Sequence, residues 1–181
     1  MKFSTQTRKY TYWAFSFIAL FTILTTSYHT MGGFEEIQTG TFQNEKYSIA
    51  GKSISGKFTS KDEYYLFEEV KKLIASGELI GTLTVVNYND DSTGQRLSRR
   101  FVGVLLSDEV ALIPSGFKVL EIESDYSFRA ALTMHPLVMP NTEKVEAILK
   151  IKADSLGISL RNYTMERLFA DNSVIVEVFG K

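Results

Sequence analysis

Cysteine is absent from this 181-residue chain. That removes disulfide staples, thiolate catalysis and cysteine-ligated metals together. Histidine is nearly absent. The two present, His29 and His135, are too far apart in sequence to give metal-site spacing. Proline occurs three times, and no Pro-rich or Gly/Ser-rich linker divides the chain. Neither sign of charge is in excess, with 20 basic and 21 acidic side chains. The first 30 residues hold Lys2, Arg8 and Lys9 and no acid, so the remaining body is mildly acidic. Such a body argues against nucleic acid as a partner, because phosphate contacts need a basic surface. No G-x-G-x-x-G, no phosphate loop of the G-x-x-x-x-G-K-[ST] type and no G-x-S-x-G occurs, which removes the nucleotide and serine-hydrolase motifs. No cofactor is expected.

What is present begins with one apolar segment. No charge falls between Lys9 and Glu35, and Tyr12 to Tyr28 reads as a continuous apolar and hydroxylated run. At 17 to 19 residues it stands at about the lower edge for crossing a bilayer core. Tyr10, Tyr12, Trp13 and Tyr28 mark its ends, where amphipathic rings favour the headgroup level. Two readings stand side by side: an uncleaved signal anchor, or a secretory signal peptide cleaved near Thr25 and Ser27. In either case the positive-inside bias leaves Lys2, Arg8 and Lys9 in the cytoplasm and the body outside it, or secreted or periplasmic after cleavage.

The expected organisation is a segment 1–31, a polar stalk 32–46 and a domain 47–181. Within the domain one order of elements is read twice. A strand from Tyr47 to Phe58 is followed by a helix from Lys61 to Ser76, opened by the Ser60/Glu63 capping-box spacing and stopped at Gly77. Tyr64, Phe67, Val70, Leu73 and Ile74 form its apolar stripe. Gly51 and Gly56 point to a bulge or a close backbone approach. Strands Leu79 to Tyr88 and Leu97 to Leu106 come next, joined by a turn-rich loop from Asn89 to Gln95. The second repeat has Phe117 to Ile122, a strand Tyr126 to His135, a helix Thr142 to Leu156 and a hairpin of Tyr163 to Phe169 with Val174 to Phe179. Asn141 or Thr142 caps that helix, Val145, Ile148, Leu149 and Leu156 point inward, and Gly157 ends it. Arg96, Arg99 and Arg100 read as a solvated edge device. The fold class is therefore α+β, with duplicated strand-helix-strand-strand units behind an N-terminal transmembrane or signal helix.

Several stretches in this order resemble the GyrI-like domain, the effector-binding domain of multidrug-responsive bacterial regulators, and within it a membrane-tethered branch. They are Gly33-Phe34-Glu35, Ile49-Ala50-Gly51, Gly56-Lys57-Phe58, Val85-Val86-Asn87-Tyr88-Asn89-Asp90, Arg100-Phe101-Val102-Gly103-Val104, Ser115-Gly116-Phe117-Lys118-Val119 and Met165-Glu166-Arg167-Leu168. The chain departs from the family pattern at Asp91, where proline is usual, and at Leu168, where tyrosine is usual. The resemblance implies an apolar cleft with Glu166 at its floor, Tyr88 and Phe101 as its walls, and Tyr126 and Met134 as further lining. A carboxylate there suits an apolar or cationic small molecule, because the partner replaces lost water. Two alternatives remain: Glu166 as the base of a hydrolase of reactive small molecules, or a protein-interaction scaffold without a small ligand.

Overall fold

The computed structural model describes residues 5–54, 60–88, 99–107 and 112–181. The end of the first expected strand at Gly56 and Phe58, the loop Asn89 to Gln95, and Arg96 lie outside the described residues. The elements are α1 (Thr5–Thr30), β1 (Gln38–Ile54), α2 (Ser60–Ala75), β2 (Gly81–Tyr88), β3 (Arg99–Leu106), β4 (Lys118–Leu132), α3 (Thr142–Ser155), β5 (Leu160–Leu168) and β6 (Val174–Gly180). The chain divides into two compact units.

The first unit comprises residues up to Glu36 together with Met134–Met139. Its helix α1 is about 39 Å long, at 1.5 Å for each of its 26 residues. Trp13, Phe15, Phe17, Phe21 and Ile23 are 62–71% exposed. At 100° per residue these positions point in all directions around the axis. Three threonine hydroxyls fold back on the helix: Thr22 and Thr25 donate to the Ile18 and Phe21 carbonyls, and Thr30 to Ser27, each at 2.9 Å. Met31 O accepts from the His135 amide at 2.9 Å, which ties the end of the helix to the 134–139 turn. Among the described residues no helix is long and apolar enough to cross a membrane.

The second unit is a closed six-stranded antiparallel barrel in the order β1-β3-β2-β5-β6-β4, with α2 and α3. The twofold repeat of strand, helix and two strands is present. Each repeat contributes three neighbouring strands, and the repeats join along β1–β4 and β2–β5. The expected stalk is corrected: residues 38–46 form the first half of β1, paired with β4 from Gln38↔Ala131 onward. Their polar side chains conceal a strand whose stability comes from ladder pairing. Likewise Phe117–Ile122 and Tyr126–His135 are not two strands. One strand, β4, runs through Ser124, whose hydroxyl is bonded to the Tyr126 and Gly180 carbonyls at 2.7 and 3.0 Å.

The strands alternate between two apolar layers. Outside, Leu83, Val85, Val102 and Val104 pack with Leu66 and Val70 of α2, while α3 lies on β4, β5 and β6. Inside, Tyr47, Ile49, Val86, Phe101, Ile122, Met165 and Phe179 pack together with no helix residue among them. Closure brings β1 and β3 very close at Gly51 and Gly103. A Cβ on Gly103 would stand 2.2 Å from the Ala50 carbonyl oxygen. The close approach anticipated at Gly51 is thus realised. The helix signals also hold. Gly77 and Gly157 adopt φ of 75° and 70° after their helices, and the Asn141 side chain accepts from the Lys144 amide at 3.1 Å. The apolar faces differ in detail. Tyr64, Ile148 and Leu156 are exposed, and α3 buries Val145, Leu149 and Ala153, one every fourth residue. Small Ala153 lets the helix sit close to the sheet where bulkier Leu156 was expected.

Candidate functional site

Glu166 lies on the outer, helix-bearing face of β5. Its cross-strand neighbours are Val85 on β2 and Val176 on β6, both buried. A carboxyl group thus interrupts an apolar row at the seam where the two repeats meet. Few groups reach it. The Asn87 amide nitrogen donates to its Oε1 at 2.7 Å. Burial pushes its pKa above the ordinary carboxylate value, and the Glu146 charge adds to the rise. The Thr142 hydroxyl, the Arg100 charge and the Asn87 amide act in the opposite direction. Arg100 also pairs with Glu63 near the start of α2. It is therefore no solvated edge device. β3 is flanked by β1 and β2, and a closed barrel leaves no edge. The Arg99 guanidinium stacks on Tyr88 at 4.7 Å.

Next to Glu166 on the same face is Thr164, which forms part of the floor of a groove of about 410 Å³ between α3 and the sheet. Glu143, Glu146 and Lys150 of α3 form its wall, with Asn162 and Val178 also on the floor. Such a volume suits a small molecule.

The structure does not gather the five expected residues around one cleft. Tyr88 and Phe101 point to the opposite face of their strands from Asn87 and Arg100, into the barrel. There Tyr88 packs on Tyr163 with ring centres 5.8 Å apart, and Phe101 belongs to the core. Tyr126 is on β4, with β6 between it and β5. Met134 belongs to the first unit, against Gly32. The residues that do reach Glu166 are Asn87 of β2, Arg100 of β3, and Thr142 and Glu146 of α3, three different elements. Asn87 immediately precedes Tyr88. Alternation along β2 separates the two, and only the register with β5 tells which faces Glu166.

A second polar cluster sits inside the barrel. Glu177, 0% exposed, accepts from the Tyr47 hydroxyl at 2.9 Å, Arg129 Nε at 2.8 Å and Arg167 Nη2 at 3.1 Å. Glu45 pairs with Arg129 at 2.7 Å, and Arg129 stacks on Phe42 at 3.8 Å. Phe42 and Glu45 are three residues apart, so an uninterrupted strand would place them on opposite faces. Asn44, at φ 54°, turns the chain between them so that both reach Arg129. Burial raises the Tyr47 hydroxyl pKa strongly, with the Glu177 charge adding to it. One carboxylate thereby links β1, β4, β5 and β6 from within.

No protein family and no curated protein matches this chain in sequence. Solved structures match it in fold. A hydrolase from Listeria innocua superposes with a TM-score of 0.55 at 9% identity, covering 85% of this chain and 98% of that one. A hydrolase encoded by lin2189 from the same organism gives 0.50 at 9%, with the same coverage. SAV2435 bound to tetraphenylphosphonium gives 0.46 at 9%, covering 81% and 94%. The likeness to the two hydrolases is one of fold, a mixed α/β architecture.

Proposed function

We propose that the barrel unit is a small-molecule binding domain of the GyrI-like kind, which takes apolar-bodied cations into the groove beside α3 with Glu166 as their counter-ion. One observation carries this reading: Glu166 stands between Val85 and Val176 on a helix-covered face. A carboxylate there gives up hydration, and a ligand cation restores the lost interaction. Titration calorimetry with benzyltrimethylammonium tests it. Glu166→Gln preserves the shape and removes the charge. A charge-assisted contact is worth about 1.5–3 kcal/mol, so the variant binds roughly tenfold to a hundredfold more weakly. Equal affinity in the two proteins overturns the reading. Turnover of a reactive ester or epoxide, lost in the same variant, would assign the carboxyl as a base instead.

We further propose that α1 holds the domain to a membrane surface. Its apolar side chains are exposed on every side, and a protein partner would cover only one. The back-bonded threonine hydroxyls lower the cost of an apolar surrounding. Trp13 is the single tryptophan of the chain and reports on this directly. Its emission shifts to the blue on addition of phospholipid vesicles, and the protein floats with them. Unchanged emission with no flotation contradicts the tether.

A further inference from the structure

The groove carries charges of both signs that form no ion pair among the described residues. On the α3 wall stand Glu143, Glu146, Lys150 and Asp154, one stripe along the helix. Across from them is Arg161 of β5. Glu166 lies at the end nearer the helix start, because Thr142 and Glu146 are the α3 residues that act on it. The order along the groove is therefore acid at Glu166, Glu143 and Glu146, then base at Lys150 and Arg161, with Asp154 one turn beyond Lys150 at the far end. Glu146 and Lys150 have the i, i+4 spacing at which helix-surface charges pair. Among the described residues, neither of them takes part in an ion pair, and neither does Glu143. Arg161 is fixed in place by bonds from Nε to the Gly180 carbonyl at 2.9 Å and from Nη1 to the Tyr163 hydroxyl at 3.2 Å. A simple cation would answer only the acidic end of this groove.

We infer that the ligand is a zwitterion, with an ammonium group at the Glu166 end and a phosphate or carboxylate on Lys150 and Arg161. This rests on the reading of Glu166 as counter-ion and adds the second charge. The two ligand charges are separated by about 6 Å, the rise of four helical residues from Glu146 to Lys150. The groove volume of about 410 Å³ accommodates such a molecule.

Phosphocholine and choline form the test pair, since they share one quaternary ammonium and only the first carries an anion. Calorimetry on the full chain gives at least tenfold tighter binding for phosphocholine. Lys150 is exposed, so Lys150→Met folds; it erases most of that advantage and does not weaken choline binding, because a nearby positive charge has been removed. Glu166→Gln weakens both ligands. If the two bind equally and both depend on Glu166, the zwitterion is refuted and the cation reading stands. If neither binds, or neither responds to Glu166→Gln, the cation reading fails and the zwitterion fails with it. Short-chain phosphatidylcholine below its micellar concentration separates the sources. Tighter binding than phosphocholine assigns a lipid headgroup, and equal or weaker binding assigns a free zwitterion.

Discussion

Replacing Glu177 by glutamine perturbs the barrel at one buried atom and leaves its shape intact. The wild-type carboxylate receives hydrogen bonds from Tyr47, Arg129 and Arg167 and has no solvent exposure. Glutamine keeps one acceptor oxygen, introduces an N–H that faces donors, and removes the negative charge. Of the two guanidiniums, only 17% and 14% exposed, Arg129 then keeps Glu45, and Arg167 has no acid partner left among the described residues. Removing one partner from a buried ion pair costs about 3–5 kcal/mol. For a chain of this length that lowers the melting temperature by roughly 10–15 °C. The exposed Lys46–Glu123 pair, also at 2.7 Å, serves as the control: Glu123→Gln leaves the melt essentially unchanged. Thermal and urea melts of wild type, Glu177→Gln, Arg129→Gln and the double variant complete the test. The double variant should lose clearly less than the sum of the singles, because each single leaves a buried charge behind. Strict additivity, or a Glu177→Gln melt like wild type, refutes the claim that this carboxylate holds four strands together.

Glu166 behaves in the opposite sense. Its folded-state pKa is raised above its unfolded value, so between the two values the native state binds more protons and stability falls as pH rises. Glu166→Gln is therefore more stable than wild type above the ordinary carboxylate range and loses the advantage below it, as melts across that range will show. Gly103→Ala pushes a Cβ to 2.2 Å from the Ala50 carbonyl oxygen, where only parting β1 from β3 gives relief. Its cost is about 3 kcal/mol or more. Gly157→Ala meets nothing within 4 Å and carries only left-handed backbone strain, about 1–2 kcal/mol. Chemical denaturation of the two variants checks the ranking. Asn141→Ala removes the cap on the Lys144 amide and costs about 1 kcal/mol.

Local signals in the sequence carried the fold a long way. Gly77, Gly157 and Asn141 mark helix ends through backbone chemistry that needs no tertiary context, and all three act as read. The repeated element order also follows from patterning alone. The length of β1 was hidden, because Gln38 to Lys46 lacks an apolar alternation and is held by pairing with a strand about 80 residues away. Closure was hidden for the same reason: it depends on β1–β4 and β2–β5 pairings between repeats that share no obvious identity. Among site residues, Glu166 was reached through its resemblance to a family stretch. Asn87, Arg100, Thr142 and Glu146 were not, since each contributes only once register and helix placement bring it there. Glu177 shows no trace either. In Val174 to Phe179, with both faces of the strand buried, nothing distinguishes a carboxylate inside the barrel from one in water.

The most direct test of the account is a ¹³C NMR titration of the Glu166 carboxyl, free and saturated with benzyltrimethylammonium. The expected result is a midpoint above the ordinary glutamate value in the free protein and a clear downward shift when the cation is bound. A free-protein midpoint at the ordinary value that does not move with ligand contradicts it.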